Sequence, residues 1–215
     1  MMAFFLGKYG YPRLVLLLMA CAVVASAINV QDTMLTWLLE AFPVMVAIVL
    51  LVLTMRRFRL TDLLYTLILI HACVLLYGAH YSYAGTPLGD WLGEVMGWQR
   101  NNYDKLGHFM QGFCPVICAR EVIARCTPIR RGGWLAILSF TVAMTVSALY
   151  EIVEWLASLS APDDTEAFLG TQGYIWDTQT DMAMCLIGSV MALALLTHLH
   201  NRQLNQLCSL PSSRL

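Results

Sequence analysis

The sequence predicts an all-α, polytopic membrane protein with six transmembrane helices, and three observations lead there. The chain of 215 residues is 59% hydrophobic and 13% charged, with a mean hydropathy of +0.64, whereas a soluble domain carries about 25% charged residues. The apolar residues gather into six runs, each close to the roughly 20 residues that cross a hydrocarbon core. The basic residues sort onto alternate connections, as the positive-inside rule requires.

The runs lie at about 12–30, 37–55, 61–81, 103–126, 134–159 and 177–198. They fill the chain too evenly for a separate soluble domain, so residues 1–215 read as a single integral membrane domain. Lys8 and Arg13 precede the first run as they would in a signal peptide. A second membrane run follows at once, so the first reads as a retained span. Pro43 falls inside the second run, where it predicts a kink. The fourth run is the least apolar and carries Asp104, Lys105, His108, Gln111, Arg120 and Glu121, mostly toward its ends.

Orientation follows from charge. Lys8, Arg13, Arg56, Arg57, Arg59, Arg120, Arg125, Arg130, Arg131, Arg202 and Arg214 all fall on one side of a six-span arrangement, and only Arg100 and Lys105 on the other. The acids do the reverse, with only Asp62 and Glu121 on the basic side. An even number of spans then puts both termini in the cytoplasm. Two longer connections face outward. Residues 82–102 are glycine-rich, with a short interfacial helix expected around Trp91. Residues 160–176 carry Asp163, Asp164 and Glu166.

The net charge of −1 says nothing about nucleic acid, but no basic cluster alternates with aromatics, so no nucleic-acid partner is expected. The expected surroundings are the lipid bilayer. Five of the seven cysteines fall inside apolar runs and none in an outer loop, so they read as packing residues rather than a disulfide framework.

The informative feature is a group of ionisable residues at one depth. The fourth run enters from outside with Asp104 and His108, four apart and on one helical face. The fifth leaves with Glu151 and Glu154, and the sixth enters with Asp177 and Asp181. Charge inside the hydrocarbon costs about 2.5–3.5 kcal/mol per residue at a helix centre on insertion scales. Such a cluster therefore needs partners, water or a task. The expectation is a pocket open to the outer face, with His108, Glu151, Glu154 and Asp181 as candidate catalytic residues. His108, Glu154, Asp177 and Asp181 are candidate ligands of a divalent metal ion such as Zn, Mn or Fe. One carboxylic acid could instead serve as general acid beside an ionised base. The pattern lacks the HExxH spacing of zinc peptidases, the Glu-x-x-His pairs of a di-iron bundle, and any nucleophile-elbow, P-loop or dinucleotide fingerprint. The competing class is a non-enzymatic protein, a small-solute carrier or a structural partner, whose polar cluster only joins helices. A carrier needs polar residues across the full depth, and the inner halves of these runs read as almost wholly apolar. His71, mid-run, reads as a packing histidine, and His198 and His200 as solvated tail residues.

The stretch Tyr103–Phe109 (YDKLGHF) with Gln111 and Gly112, then Ala119–Glu121 (ARE), Tyr150–Trp155 (YEIVEW), Phe168–Gly173 (FLGTQG), Trp176–Gln179 (WDTQ), Asp181 and Met182, resembles the YjdF-like family. The resemblance implies a bacterial inner-membrane protein and names no reaction. The family pattern leads one to expect an acid where this chain has Tyr174. More distantly, Asp104, Lys105 and His108, followed by Glu151 or Glu154, then Asp181 and Gly188, are similar to the order found in VanZ-like proteins. These are membrane proteins associated with glycopeptide resistance, so that likeness implies a cell-surface role. Neither resemblance gives a substrate; the expected partner of the outward pocket is an envelope lipid or small-molecule ligand.

Overall fold

The structure, a computed structural model, describes residues 7–160 and 174–208, without the side chains of 157, 158, 160 and 208. The acids expected at 163, 164 and 166, the FLGTQG motif and Arg214 lie outside the described residues. Seven α-helices occur among the described residues: α1 (Gly10–Ser26), α2 (Met34–Thr54), α3 (Asp62–Tyr81), α4 (Pro87–Met96), α5 (Tyr103–Cys126), α6 (Gly133–Ser160) and α7 (Asp177–Cys208), with a 3₁₀ turn at Tyr83–Gly85. Each apolar run contains one helix. Thr33 and Thr61 start α2 and α3 by accepting from the backbone N–H of Thr36 and Leu64, which satisfies donors a helix start leaves open.

Helices α2, α3, α6 and α7 are long and apolar enough to cross a membrane. Helix α1 has 17 residues and rises about 26 Å at 1.5 Å per residue. The 24 residues of α5 are long enough but more polar. Exposed apolar side chains, among them Leu35, Phe42 and Leu53 on α2 and Leu149 and Val153 on α6, face outward from the bundle, as a lipid-facing surface requires. The short α4 lies where an interfacial helix was expected and exposes Trp91, Val95 and Met96. Asn101 ties it down by donating to Thr86 O at 2.9 Å and Asp90 Oδ1 at 2.8 Å.

Helix α5 is the centre of the bundle and packs on α3, α6 and α7, while α1 and α2 reach it chiefly through α3. Its closest neighbour is α7. A Cβ added at Gly112 would sit 1.9 Å from the carbonyl oxygen of Cys185, and one at Gly188 would sit 2.1 Å from that of Phe109. Two glycines, one on each helix, thus let the backbones touch, the small-residue contact that membrane helices favour.

Two sequence expectations fail at the end of the bundle opposite the acid–histidine group. Helix α7 does not end near His198 but runs on to Cys208. His200 is not a solvated tail residue: it is fully buried, as is Glu121, while His198 is exposed. Arg120 Nη1 donates to His200 Nδ1 at 2.8 Å, so the ring proton sits on Nε2, which donates to Glu121 Oε2 at 3.0 Å. Glu121 also accepts from Thr61 N at 3.0 Å, Thr61 Oγ1 at 2.7 Å and Arg125 Nη1 at 2.7 Å. Arg120 Nη2 donates to Asn201. These ends of α3, α5 and α7 are therefore joined by a buried polar knot. The sequence hid it because its members lie in three separate helices, each beside a charged connection.

Candidate functional site

At the other end, α5 begins with Asp104 and Lys105, and α7 begins with Asp177 and Asp181 on the face turned to α5. Lys105 Nζ reaches Asp177 Oδ1 at 2.7 Å, Asp181 Oδ1 at 2.6 Å and Asp104 Oδ2 at 3.2 Å. Arg100, in the connection before α5, pairs with Asp104 Oδ2 at 2.9 Å and Asp177 Oδ1 at 2.8 Å. Three buried aspartates thus share two cations, and the charges lock α5 to α7 above the glycine contact. Removing one member of a buried pair strands the others. Lys105→Met is therefore expected to cost about 3–5 kcal/mol of stability, read as a large fall in detergent melting temperature; a variant that melts with the parent would refute the clamp.

One turn deeper on α5, His108 stands between helices α6 and α7. Its Nδ1 is 2.9 Å from Gln111 Oε1 and 3.6 Å from Glu151 Oε1, while Nε2 lies 3.8 Å from Asp181 Oδ1. Tyr150 meets the ring edge-on, with centroids 6.3 Å apart. Glu151 is 7% exposed, and its Oε1 has no hydrogen-bond partner among the described residues. An imidazole whose two nitrogens face two different carboxyl groups can pass a proton from one to the other.

Ligand atoms of His108, Glu151 and Asp181 lie within 4.8 Å of one another, as do those of Asp104, Asp177 and Asp181. In the second set the Lys105 ammonium already stands among the three carboxylates. In the first, one ring nitrogen of His108 and one oxygen from each acid lie close enough to be offered to a single ion. Of the expected metal ligands, His108 and Asp181 come together with Glu151, and Asp177 joins the clamp. Glu154, three residues on from Glu151, lines an adjoining cavity instead.

That cavity has a volume of about 260 Å³ and is lined by Glu40, Pro43, His71, Leu75, Tyr83, Asp104, Gly107, His108, Gln111, Pro115, Val146, Tyr150 and Glu154. It has room for several waters at roughly 30 Å³ each, or for a small polar group. Sequence reasoning missed Glu40, which is 4% exposed. Neither of its oxygens has a hydrogen-bond partner among the described residues. The available signal was a single acid inside the apolar run of α2. His71 was read as packing, yet it lines this cavity, and its Nε2 has no partner among the described residues.

Comparison with known proteins agrees with the membrane reading. Residues 11–202 match a family model described as predicted membrane protein (DUF2238). The chain is 44% identical over 184 residues to the inner membrane protein YjdF of Escherichia coli (strain K12), covering 86% of this chain and 88% of that protein. No solved structure matches. The chain belongs to this family of predicted membrane proteins and is an integral inner-membrane protein.

Proposed function

We propose that the protein crosses the inner membrane six times with both termini in the cytoplasm, and that its outward-facing chamber binds an amine-bearing component of the cell envelope. The observation that carries the reading is Glu40, a buried carboxyl in the chamber wall whose two oxygens lack donors among the described residues. An unpaired buried carboxyl is costly, and a ligand N–H supplies what it lacks. Lys105 and Arg100 are engaged with the three aspartates. Glu154 and His108 line the same chamber and give a cationic group further acceptors. His108, set between Glu151 and Asp181, can take up or release a proton as the ligand enters. A second reading, a divalent ion held by His108, Glu151 and Asp181, rests on the closeness of their ligand atoms; elemental analysis of the purified protein separates the two.

Two experiments test this. Reporter fusions after Arg57, after Arg130 and at the C-terminus are expected to report cytoplasm, and fusions near Gly93 and Asp164 the outside. An outside C-terminus overturns the six-span arrangement. Ethanolamine is expected to raise the detergent melting temperature of the parent, by about 1.4 kcal/mol at tenfold over its dissociation constant. Glu40→Gln, Glu154→Gln and His108→Gln should fold, since a lost interhelical hydrogen bond in membranes averages about 0.6 kcal/mol, but should lose that response. Equal responses from all four proteins, or none from the parent, refute the chamber as an amine site.

A further inference from the structure

The chamber does not end at its apolar floor. A second cavity of about 500 Å³ runs between α2 and α5 over α3, and Pro43, His71, Leu75 and Pro115 line both. The two cavities are therefore neighbours. The second follows α2 from Pro43 to Thr54 and α5 from Pro115 to Cys126. Each stretch rises about 16 Å at 1.5 Å per residue, the depth of one leaflet of a hydrocarbon core roughly 30 Å thick. Its walls are apolar, and Leu50 and Val122 on its rims are exposed, so it opens sideways to lipid. Thr54 turns its hydroxyl onto the carbonyl of Leu50. The polar atom offered at the junction is His71 Nε2, which has no partner among the described residues.

We propose that chamber and groove form one binding site for a long-chain amphipathic lipid. Its amine-bearing end sits against Glu40 and Glu154, a polar atom near the head meets His71, and its hydrocarbon chain lies along the seam of α2 and α5. The inference rests on the chamber reading and extends it. Three observations support a lipid over a small solute. The acidic chamber adjoins an apolar groove, and Pro43, His71, Leu75 and Pro115 line both. The groove has the depth of a leaflet and is open to the bilayer. The His71 ring, whose Nε2 has no partner among the described residues, stands where a lipid changes from polar to apolar. The two helix prolines lie at the same junction. Each removes a backbone donor and leaves the carbonyl four residues earlier, on Leu39 and Gln111, without its helical partner, so the seam is a natural place for the helices to part.

The test uses the full chain in nanodiscs with hexadecylamine carrying a diazirine at the chain end. The expected label maps to peptides around Thr54, Phe58 and Val122. Ethanolamine in excess should compete it at least tenfold, and hexadecanol carrying the same diazirine should not reproduce it. Ala47→Phe fills the groove from α2 and should abolish the label while the ethanolamine melting response persists. Val122→Trp, at the exposed rim, does the same where Ala47→Phe fails to fold. Ethanolamine stabilisation without groove labelling overturns the lipid site and leaves the chamber reading intact. Labelling unchanged in both groove variants also overturns the lipid site. Neither stabilisation nor labelling overturns both readings.

Discussion

Glu121→Ala is expected to destabilise the protein by about 3–5 kcal/mol, the cost of leaving a buried charged group without its counterpart. The side chain is fully buried and accepts hydrogen bonds from the Thr61 backbone and hydroxyl, from Arg125 and from His200. Removing it strands two basic side chains and the residue that caps α3. Arg120 loses support too, because it reaches Glu121 through His200. Glu121→Gln keeps one acceptor oxygen but sets an amide N–H₂ against Arg125 or Thr61, and should fall between the two. Glu40→Gln is the contrast: that carboxyl is also buried but has no donor to lose among the described residues, so the folded level should hold. The measurement is melting in detergent together with the amount of monodisperse protein recovered. Similar melting of the Ala variant and the parent would show that the polar knot holds nothing together.

These two glutamates also show what the sequence made legible. The helices were legible because apolar composition alone marks them, and the structure places a helix in every run. The end of α7 was not. Beyond His198 the residues turn polar, which reads as a tail, but a helix leaving the hydrocarbon need not stop. Here Gln203 accepts from the backbone of Leu63, and Arg131 donates to Asn205, so the polar extension is held by partners far away in sequence. In the acid–histidine group, pairs three or four residues apart were legible from helical spacing. Their division of labour was not, since Glu151 turns toward His108 and Asp181 while Glu154 turns to the cavity. Arg100 was counted only for topology because it lies in a connection, although it clamps two aspartates. Glu40 and His71 were hidden for a different reason. Each is one polar residue in an apolar run, and only the packing of α2 and α3 around α5 shows that both line one chamber. Lone residues gain meaning from tertiary neighbours, which spacing within a single helix cannot supply.

The polar knot bears on the carrier reading as well. Carriage of a polar solute requires groups that can open to both sides. Polar groups exist at the end of the bundle opposite the chamber, but they are buried and engaged with one another. The cavity that adjoins the chamber is lined by apolar side chains instead. Among the described residues the chamber thus has an apolar neighbour, which favours a bound amphiphile over a transported ion.

Gly112→Ala and Gly188→Ala are expected to be the most damaging single-methyl additions in the chain. The new Cβ atoms would fall 1.9 Å from Cys185 O and 2.1 Å from Phe109 O, where real Cβ contacts essentially do not occur. The atoms met are backbone, so no side chain can rotate away, and relief requires α5 and α7 to move apart. Overpacking a core costs about 1–3 kcal/mol when side chains can adjust; with two backbones in contact the cost should lie at or above the top of that range. Separation would also stretch the pairs from Lys105 to Asp177 and Asp181, at 2.7 and 2.6 Å, and the approach of His108 to Asp181. Folding and site geometry should therefore fail together. Gly132→Ala, where an added Cβ meets nothing within 4 Å, is the control and should melt like the parent. The two seam variants should give little folded protein, and what remains should lose the ethanolamine response. If Gly188→Ala melts with the Gly132→Ala control, α5 and α7 lie farther apart than the glycine contact requires, and the ion pairs that join them across the mouth of the chamber must be longer as well.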